Sequence, residues 1–412
     1  MNIPQGYKRT ELGIIPEDWE VKRISDFTSI ITGGTPSTQR PEYWGGSIMW
    51  MSSGELNKKF VFDVEGRITT EGLLNSSTHI IPPFCVLIGL AGQGKTRGTA
   101  AYNYISLCTN QSIAAILPND KYNSLYLYYV VDSKYEYLRL LSSGDGGRGG
   151  LNKNLLNSLE ISFPKTIAEQ QAIAEALGDI DGLIAALDKK IAKKRLIKQG
   201  AMSQLLTGKK RFPGFSDPWV ERKLGEIGVW VKGQSLSKND ITPNGKNICI
   251  HYGELFSYGE VITSPISRTN SQPITISLGN EILFPDSDVT PDGLGRCSAL
   301  LMKDVIIGSG VNILRHNPLY DTSFVSYSIN ANRSKIIDRV TGTTVKHINS
   351  KELSEVVIEI PKNKDEQIAI ATMLNDMDKE IDDLEAQRDK YRLLKSGMMQ
   401  KLLTGQIRLK IK

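Results

Sequence analysis

Between Gly89 and Thr96 the chain reads GLAGQGKT, which satisfies G-x-x-x-x-G-K-[ST], the spacing of a loop whose amides and lysine cradle phosphate. Such a loop needs a strand before it and a helix directly after, because the helix's first amides hold the anion. FCVLIGL can be the strand. RGTAAYNYISLC follows, with Gly98 near its start and β-branched and aromatic residues beyond, so the sequence predicts a second strand and a hairpin rather than an ATP site. No apolar strand ending in a Mg²⁺-holding aspartate stands out downstream. The four cysteines (Cys85, Cys108, Cys249, Cys297) and four histidines are scattered singly, so no metal cluster is expected and the thiols read as reduced.

The whole chain bounds what could position such residues. Its 412 residues suit two or three domains, and 40% apolar with 23% charged residues is an ordinary globular composition. Fifty Lys and Arg against 45 acids give a net charge of +5, which permits a nucleic-acid partner without demanding one. No run approaches the roughly 18 apolar residues of a membrane span, and MNIPQGYKRTELG lacks a signal peptide's apolar stretch. A cytoplasmic chain is expected.

The strongest signal is a repeat. EQQAIAEALGDIDGLIAALDKKIAKKRLIKQGAMSQLLTG ends at Gly208, and EQIAIATMLNDMDKEIDDLEAQRDKYRLLKSGMMQKLLTG ends at Gly405, 197 positions later without a gap. Apolar residues recur every three or four positions: Ile173, Leu177, Ile180, Ile184, Leu187 and Ile191 in the first segment. In the second they are Ile370, Met373, Met377, Ile381, Leu384, Tyr391, Leu394, Met398 and Leu402, interrupted at Arg388. That is the seam of a coiled coil, with the glycines as stops. About 38 helical residues make a rod of roughly 55–60 Å. Each segment is acidic early (Asp181; Asp378) and basic late (Lys198; Lys395), which favours antiparallel pairing.

The copy reaches past the helices. DWEVKRISDF echoes PWVERKLGEI, with Trp19 against Trp219, and LNKNLLNSLEISFP echoes INSKELSEVVIEIP; each ends in a strand before its helix. LLTGKKRFPGFSDPW joins the first helix to the second body, while LLTGQIRLK at the end and GYKRTELGIIPEDW at the start read as the same join cut open. The repeat is therefore cyclic, and the two ends should lie close together. The bodies between are less alike, short apolar runs punctuated by Gly, Pro, Asn and Ser that read as irregular β structure with some helix, as in YNSLYLYYVVDSKYEYLRLL.

The paired helices resemble the conserved regions of specificity subunits of type I restriction–modification systems. GGTPSTQRPEYWGG and ILFPDSDVTP are similar to phrases of that family's target recognition domains. The resemblance covers essentially the whole chain. It implies an α+β fold: two mixed α/β recognition domains separated by two long antiparallel coiled-coil helices, in a pseudo-twofold, cyclic repeat. The expected divisions are 1–164 and 209–361 for the recognition domains, 165–208 and 362–405 for the spacer helices, and 406–412 for a tail. It implies that each domain reads half of a bipartite, asymmetric site in double-stranded DNA, while the helices act as a ruler and dock two methyltransferase subunits. S-adenosylmethionine would sit in those subunits, ATP and Mg²⁺ in further restriction subunits, and neither cofactor nor metal in this non-catalytic chain. Such a rod covers at most about 17 base pairs.

Arg and Lys forks on guanine, and Asn or Gln on adenine, are the usual base readers, while most contacts go to phosphate; the candidate DNA contacts are chosen on that footing. They are Arg40, Tyr43, Lys95, Arg97, Arg148 and Lys153 in the first domain, and Lys238, Arg268, Arg296, Lys346 and His347 in the second. Trp44 and the Trp19/Trp219 pair read as packing. HNPLY resembles the N-P-P-Y signature of adenine methyltransferases, but Leu319 replaces its second proline. IGSGVN, a glycine loop, lies too close to it for the intervening parts of a doubly wound sheet, so no catalysis is expected. A standalone DNA-binding or scaffold chain, self-associating through its coiled coil, remains the alternative reading.

Overall fold

The computed structural model describes residues 3–92, 94–142, 150–234, 236–272 and 274–409, so Arg148 lies outside the described residues. The chain divides into two compact units, residues 1–186 with 387–412, and residues 187–386.

The first unit is built on a five-stranded sheet in the order Ile30–Thr32, Ile113–Ile116, Val86–Gly89, Ala100–Asn103, Phe60–Val61. The runs CVLIGL and SIAAIL are apolar without alternation because both faces of this sheet are covered. Val86, Ile88, Ala114 and Ile116 point into one core, and Leu87, Ala101, Ile113 and Ala115 into another. The second unit repeats the order with Gly228–Lys232, Val311–His316, Glu281–Pro285, Ser298–Leu300 and Val261–Ile262. In both, the first four strands are antiparallel and the last pair is parallel. The glycine after each first strand is a packing requirement: a Cβ on Gly33 would meet the Thr109 carbonyl oxygen at 2.0 Å, and one on Gly233 the Gly308 oxygen at 1.9 Å.

Outside that shared sheet the units diverge. The first carries a three-stranded sheet of Cys108–Thr109, Trp44–Met51 and Gly66–Ile68; the second a four-stranded one of Ser267–Thr269, Asn247–Ile250, Lys303–Ile307 and Ile276–Leu278. The helical run of the first body splits at Lys134 into Ser124–Ser133 and Tyr135–Leu141. The echoed segments meet each other, since Glu20–Arg23 pairs antiparallel with Glu160–Phe163, and Val220–Lys223 with Val357–Ile360. Trp19 is fully buried, Trp219 stacks edge-on against Phe324, and Trp44 against Trp50. The four cysteines are buried free thiols; burial pushes Cys85 and Cys297 up to about 12.

Two helices of 39 residues, Ile167–Leu205 and Lys364–Leu402, follow those strand pairs. Gly208 (φ +65°) and Gly405 (φ +68°) supply the left-handed turn beyond their ends, which a side chain would strain. The start of the first helix and the end of the second belong to the first unit, and there Ile173 and Leu177 share a core with Leu402 and Leu403. In the second unit Ile191, Ile381, Leu384 and Leu187 form the seam, while Ile370 and Leu374 share a core with Leu205. Ile180, Ile184, Met377 and Tyr391 are half-buried.

Two seam positions differ from expectation. Leu394 is 48% exposed and Met373 38%, whereas the neighbouring Lys395 and Leu374 face inward. The inward register keeps a strict 4-3 spacing through Leu374, Arg388 and Lys395, and in the first helix through Lys198, which is only 8% exposed. Hydrophobicity alone missed it because lysine buries its stem and keeps its ammonium for a partner. Those partners lie on the opposite helix: Lys395–Asp181 (2.7 Å) in the first unit, Lys198–Asp378 (2.5 Å), Lys194–Glu380 (2.6 Å) and Arg195–Glu385 in the second. The antiparallel pairing that the charge asymmetry favours is present in each unit.

Candidate nucleic-acid interface

The GLAGQGKT stretch is a hairpin. Val86–Gly89 runs antiparallel to Ala100–Asn103, the Gly98 N–H donates to the Gly89 carbonyl (2.9 Å), and the Gly89 N–H to the Thr99 carbonyl (3.0 Å). Among the described residues no helix follows directly after Thr96 to present free amides; the next element is the strand Ala100–Asn103, which is not the geometry of a nucleotide loop. The helix Tyr135–Leu141 pins the turn instead: Arg139 donates to the Gly94 carbonyl (2.7 Å) and the Tyr135 hydroxyl to the Lys95 carbonyl (3.1 Å). Lys95 itself is exposed, and Arg97 beside it is half-buried. A fixed backbone with a projecting ammonium suits contact with a phosphate.

The other candidates separate by what already holds them. Lys153, at the start of the helix Lys153–Asn157, and Lys238, in the short turn Lys238–Asp240, are exposed, and no carboxylate among the described residues pairs with them. His347 is exposed in the short strand Lys346–His347, and Tyr43 is half-buried at the end of the turn Pro41–Tyr43. Arg40 pairs with Glu42 at 3.2 Å on the surface, a link worth little in water.

Three candidates spend their donors on their own body. Arg268 donates to the Gly245 and Lys246 carbonyls (2.6 and 3.0 Å), and Lys346 to those of Gly342 and Thr343 (2.7 and 2.9 Å). Arg296 holds the Phe256 and Tyr258 carbonyls (2.8 and 3.1 Å), and burial beside Arg333 pulls its guanidinium below the ordinary range. These side chains brace loops. The methyltransferase-like HNPLY is likewise structural: His316 ends a strand, buried, with Nδ1–H donating to the Asn317 carbonyl (3.0 Å) and Nε2 accepting from the Thr322 hydroxyl (2.9 Å).

Sequence reading missed the joints that seat each body on the helices. Buried Gln170 accepts from the Asn123 N–H (2.8 Å) and donates to the Pro164 carbonyl (3.1 Å); buried Gln367 does the same with Asp321 (2.8 Å) and Pro361 (2.8 Å). Glu169 and Glu366, both buried, take the guanidinium groups of Arg408 and Arg211, which occupy equivalent places after the two LLTG stops. Arg408 also grips Asp18 (2.9 and 3.0 Å), holding that carboxyl below its usual range, and Tyr7 donates to the Gly405 carbonyl (3.0 Å). The segments around Tyr7 and Asp18 and around Gly405 and Arg408 thus meet within the first unit, as a cyclic repeat requires. The matched Asn123 and Asp321, each an N-cap just before an apolar helix, are the signal that could have found the joints.

A family model described as Type I restriction modification DNA specificity domain matches residues 16–194 and 216–391. The Type I restriction enzyme MjaIX specificity subunit of Methanocaldococcus jannaschii is 36% identical over 186 residues; that match spans 43% of this chain and 41% of the relative, less than half its length. The MjaVIII specificity subunit of the same organism is 24% identical over 421 residues, covering 96% of this chain and 94% of the relative. Among solved structures, a Type-I restriction-modification system S subunit from M. genitalium is similar in fold, with a TM-score of 0.65 at 16% identity and 98% of both chains covered.

Proposed function

Because the chain belongs to the family of type I restriction–modification DNA specificity subunits, we propose that its two bodies each read one half of a bipartite, asymmetric site in double-stranded DNA. The long helices set the spacing between the halves and dock two methyltransferase subunits. The chain itself carries no catalytic step: S-adenosylmethionine belongs to the methyltransferase subunits, and ATP with Mg²⁺ to restriction subunits that join them.

The observation that carries this reading is the coexistence of sameness and difference. Helices, joints and five-stranded sheets recur, while the three-stranded sheet of the first unit and the four-stranded sheet of the second do not. A doubled scaffold with unlike faces suits one asymmetric duplex read at two places. The proposed domain limits remain 1–164 and 209–361, with helices in 165–208 and 362–405. Exposed Lys95, Lys153 and Lys238 are the preferred phosphate contacts.

The test is methylome sequencing of cells that carry the chain with its cognate methyltransferase subunit. Matched seven-residue insertions in both helices lengthen the ruler by about 10 Å, roughly three base pairs. The motif's spacer should lengthen while its bases stay the same. Altered bases with an unchanged spacer would reject the ruler, and full-strength DNA binding by the chain alone, as a homodimer, would favour a standalone binder.

A further inference from the structure

Each unit contains the same three-part contact where its body meets the helices. In the first, the Tyr129 hydroxyl donates to Asp181 Oδ2 (2.8 Å), Lys395 pairs with Asp181 Oδ1 (2.7 Å), and the ammonium lies 5.4 Å from the centre of the Tyr129 ring. In the second, Tyr327 donates to Asp378 (2.5 Å), Lys198 pairs with Asp378 (2.5 Å), and its ammonium lies 5.2 Å from the Tyr327 ring centre. One residue comes from the body's helix, one from each long helix. The tyrosine is therefore the body's own hand on the charge pair that clamps the two long helices together.

We propose that Tyr129 and Tyr327 are positioning residues: each fixes the tilt of its body on the helix pair, and so fixes which half-site spacing the protein accepts. This rests on the reading of two half-site readers given above. A body of roughly 150 residues is about 30 Å across, so a tilt of roughly 7° at its seated edge moves the far edge by about one base-pair rise, ~3.4 Å. A single hydrogen bond to a charged group at the seat thus has leverage on spacing that its own length does not suggest.

The two seats are not equally firm. The residue before the parallel edge strand, whose carbonyl accepts from the neighbouring strand in both units, is Lys59 in the first and Glu260 in the second. Its charge is reversed. Lys59 turns to Asp132 of its own body (2.7 Å), whereas Glu260 reaches Lys198 on the long helix (3.1 Å). The second body so keeps a tether to the helices when its tyrosine hydroxyl is removed, and among the described residues the first does not keep an equivalent one.

The test uses the full chain assembled with its methyltransferase subunits and a pool of DNA duplexes with the parent half-sites and spacers one base pair shorter, equal or longer. Methyl transfer at each spacer is the readout. Tyr129→Phe should raise the off-length fraction about tenfold, the low end for losing a hydrogen bond to a charged group, and Tyr327→Phe, whose body keeps the Glu260 tether, about twofold. Tyr126→Phe is the structural control. Its buried hydroxyl serves the Ser162 carbonyl (2.9 Å), the repeat has Phe324 in its place, and its loss should lower thermal stability without moving the spacer profile. A Tyr129→Phe profile identical to the parent's, or a Tyr126→Phe profile equally broad, overturns the proposal. A parent that methylates no bipartite site overturns the function reading and the joint with it.

Discussion

In the first unit one lysine, Lys395, serves one carboxylate, Asp181; in the second its counterpart Lys198 serves two, Asp378 and Glu260, and is nearly out of water. Beside them the glutamine seats, the arginine–glutamate clamps and the buried Trp19 against half-buried Trp219 recur almost position by position. Away from the helices, three strands around Trp44 and Trp50 stand where the second unit has four strands around Ile250 and Ile306. Duplication has preserved what touches the helices and released what faces outward. Constraint follows the shared partner: a side chain that must fit a helix common to both copies cannot drift alone.

That comparison can be broken at its strongest point first. Lys198→Met leaves two partly buried carboxylates uncompensated and should cost about 3 kcal/mol, against about 1.5 kcal/mol for Lys395→Met. Hydrogen exchange of the helix amides in each unit reads the two losses separately, and equal losses would remove the claim that the units are held unequally. The clamps sharpen the other side. Arg211→Ala and Arg408→Ala each strand a buried glutamate and should destabilise their own units to a similar extent in denaturant titrations.

A pH titration separates the units next. Burial lowers the His316 pKa, and in the repeat its place falls on Pro118, which does not titrate. Below the ordinary histidine value of about 6.5 the unfolded chain takes up a proton that the folded second unit resists. Stability of that unit is therefore full above about pH 6.5 and falls as pH is lowered towards the folded value. His316→Gln should flatten this slope in thermal melts between pH 7.5 and 5.5 while leaving the first unit's pH response unchanged. The smallest expected effect is at the surface: Lys95→Ala should weaken DNA binding and reduce its salt slope by about one, whereas Arg268→Ala should lower stability with the slope intact. Reversed outcomes would exchange the roles assigned to a projecting lysine and a loop-bracing arginine.

The repeat made the helices legible, because a 3-4 apolar period over two gapless copies has few alternative folds, and the acidic-to-basic gradient gave the antiparallel sense. The hairpin at Gly89 was readable from the strand-forming residues after Thr96. Leu394 was misread for a physical reason: the inward register passes through Lys395, whose burial depends on Asp181, a residue 214 positions earlier in the chain. The same applies to Arg268, Arg296 and Lys346. Composition offered them as free cations, and only tertiary structure brings the carbonyls that occupy them. Tyr129 and Tyr327 look like ordinary core residues in YNSLYLYYVV and TSFVSYSI, since nothing local announces the aspartate each one meets.

The most direct measurement of two unlike readers on one doubled scaffold is a body exchange read by methylome sequencing. Residues 28–158, which carry the first body together with its seat residues Asn123 and Tyr129, are replaced by the corresponding segment of another family member with a different target, and cells carrying the chimera with the methyltransferase subunit are sequenced. One half of the methylated motif should change to the donor's, while the other half and the spacer stay as in the parent. A contiguous motif, or both halves changing together, would contradict the account.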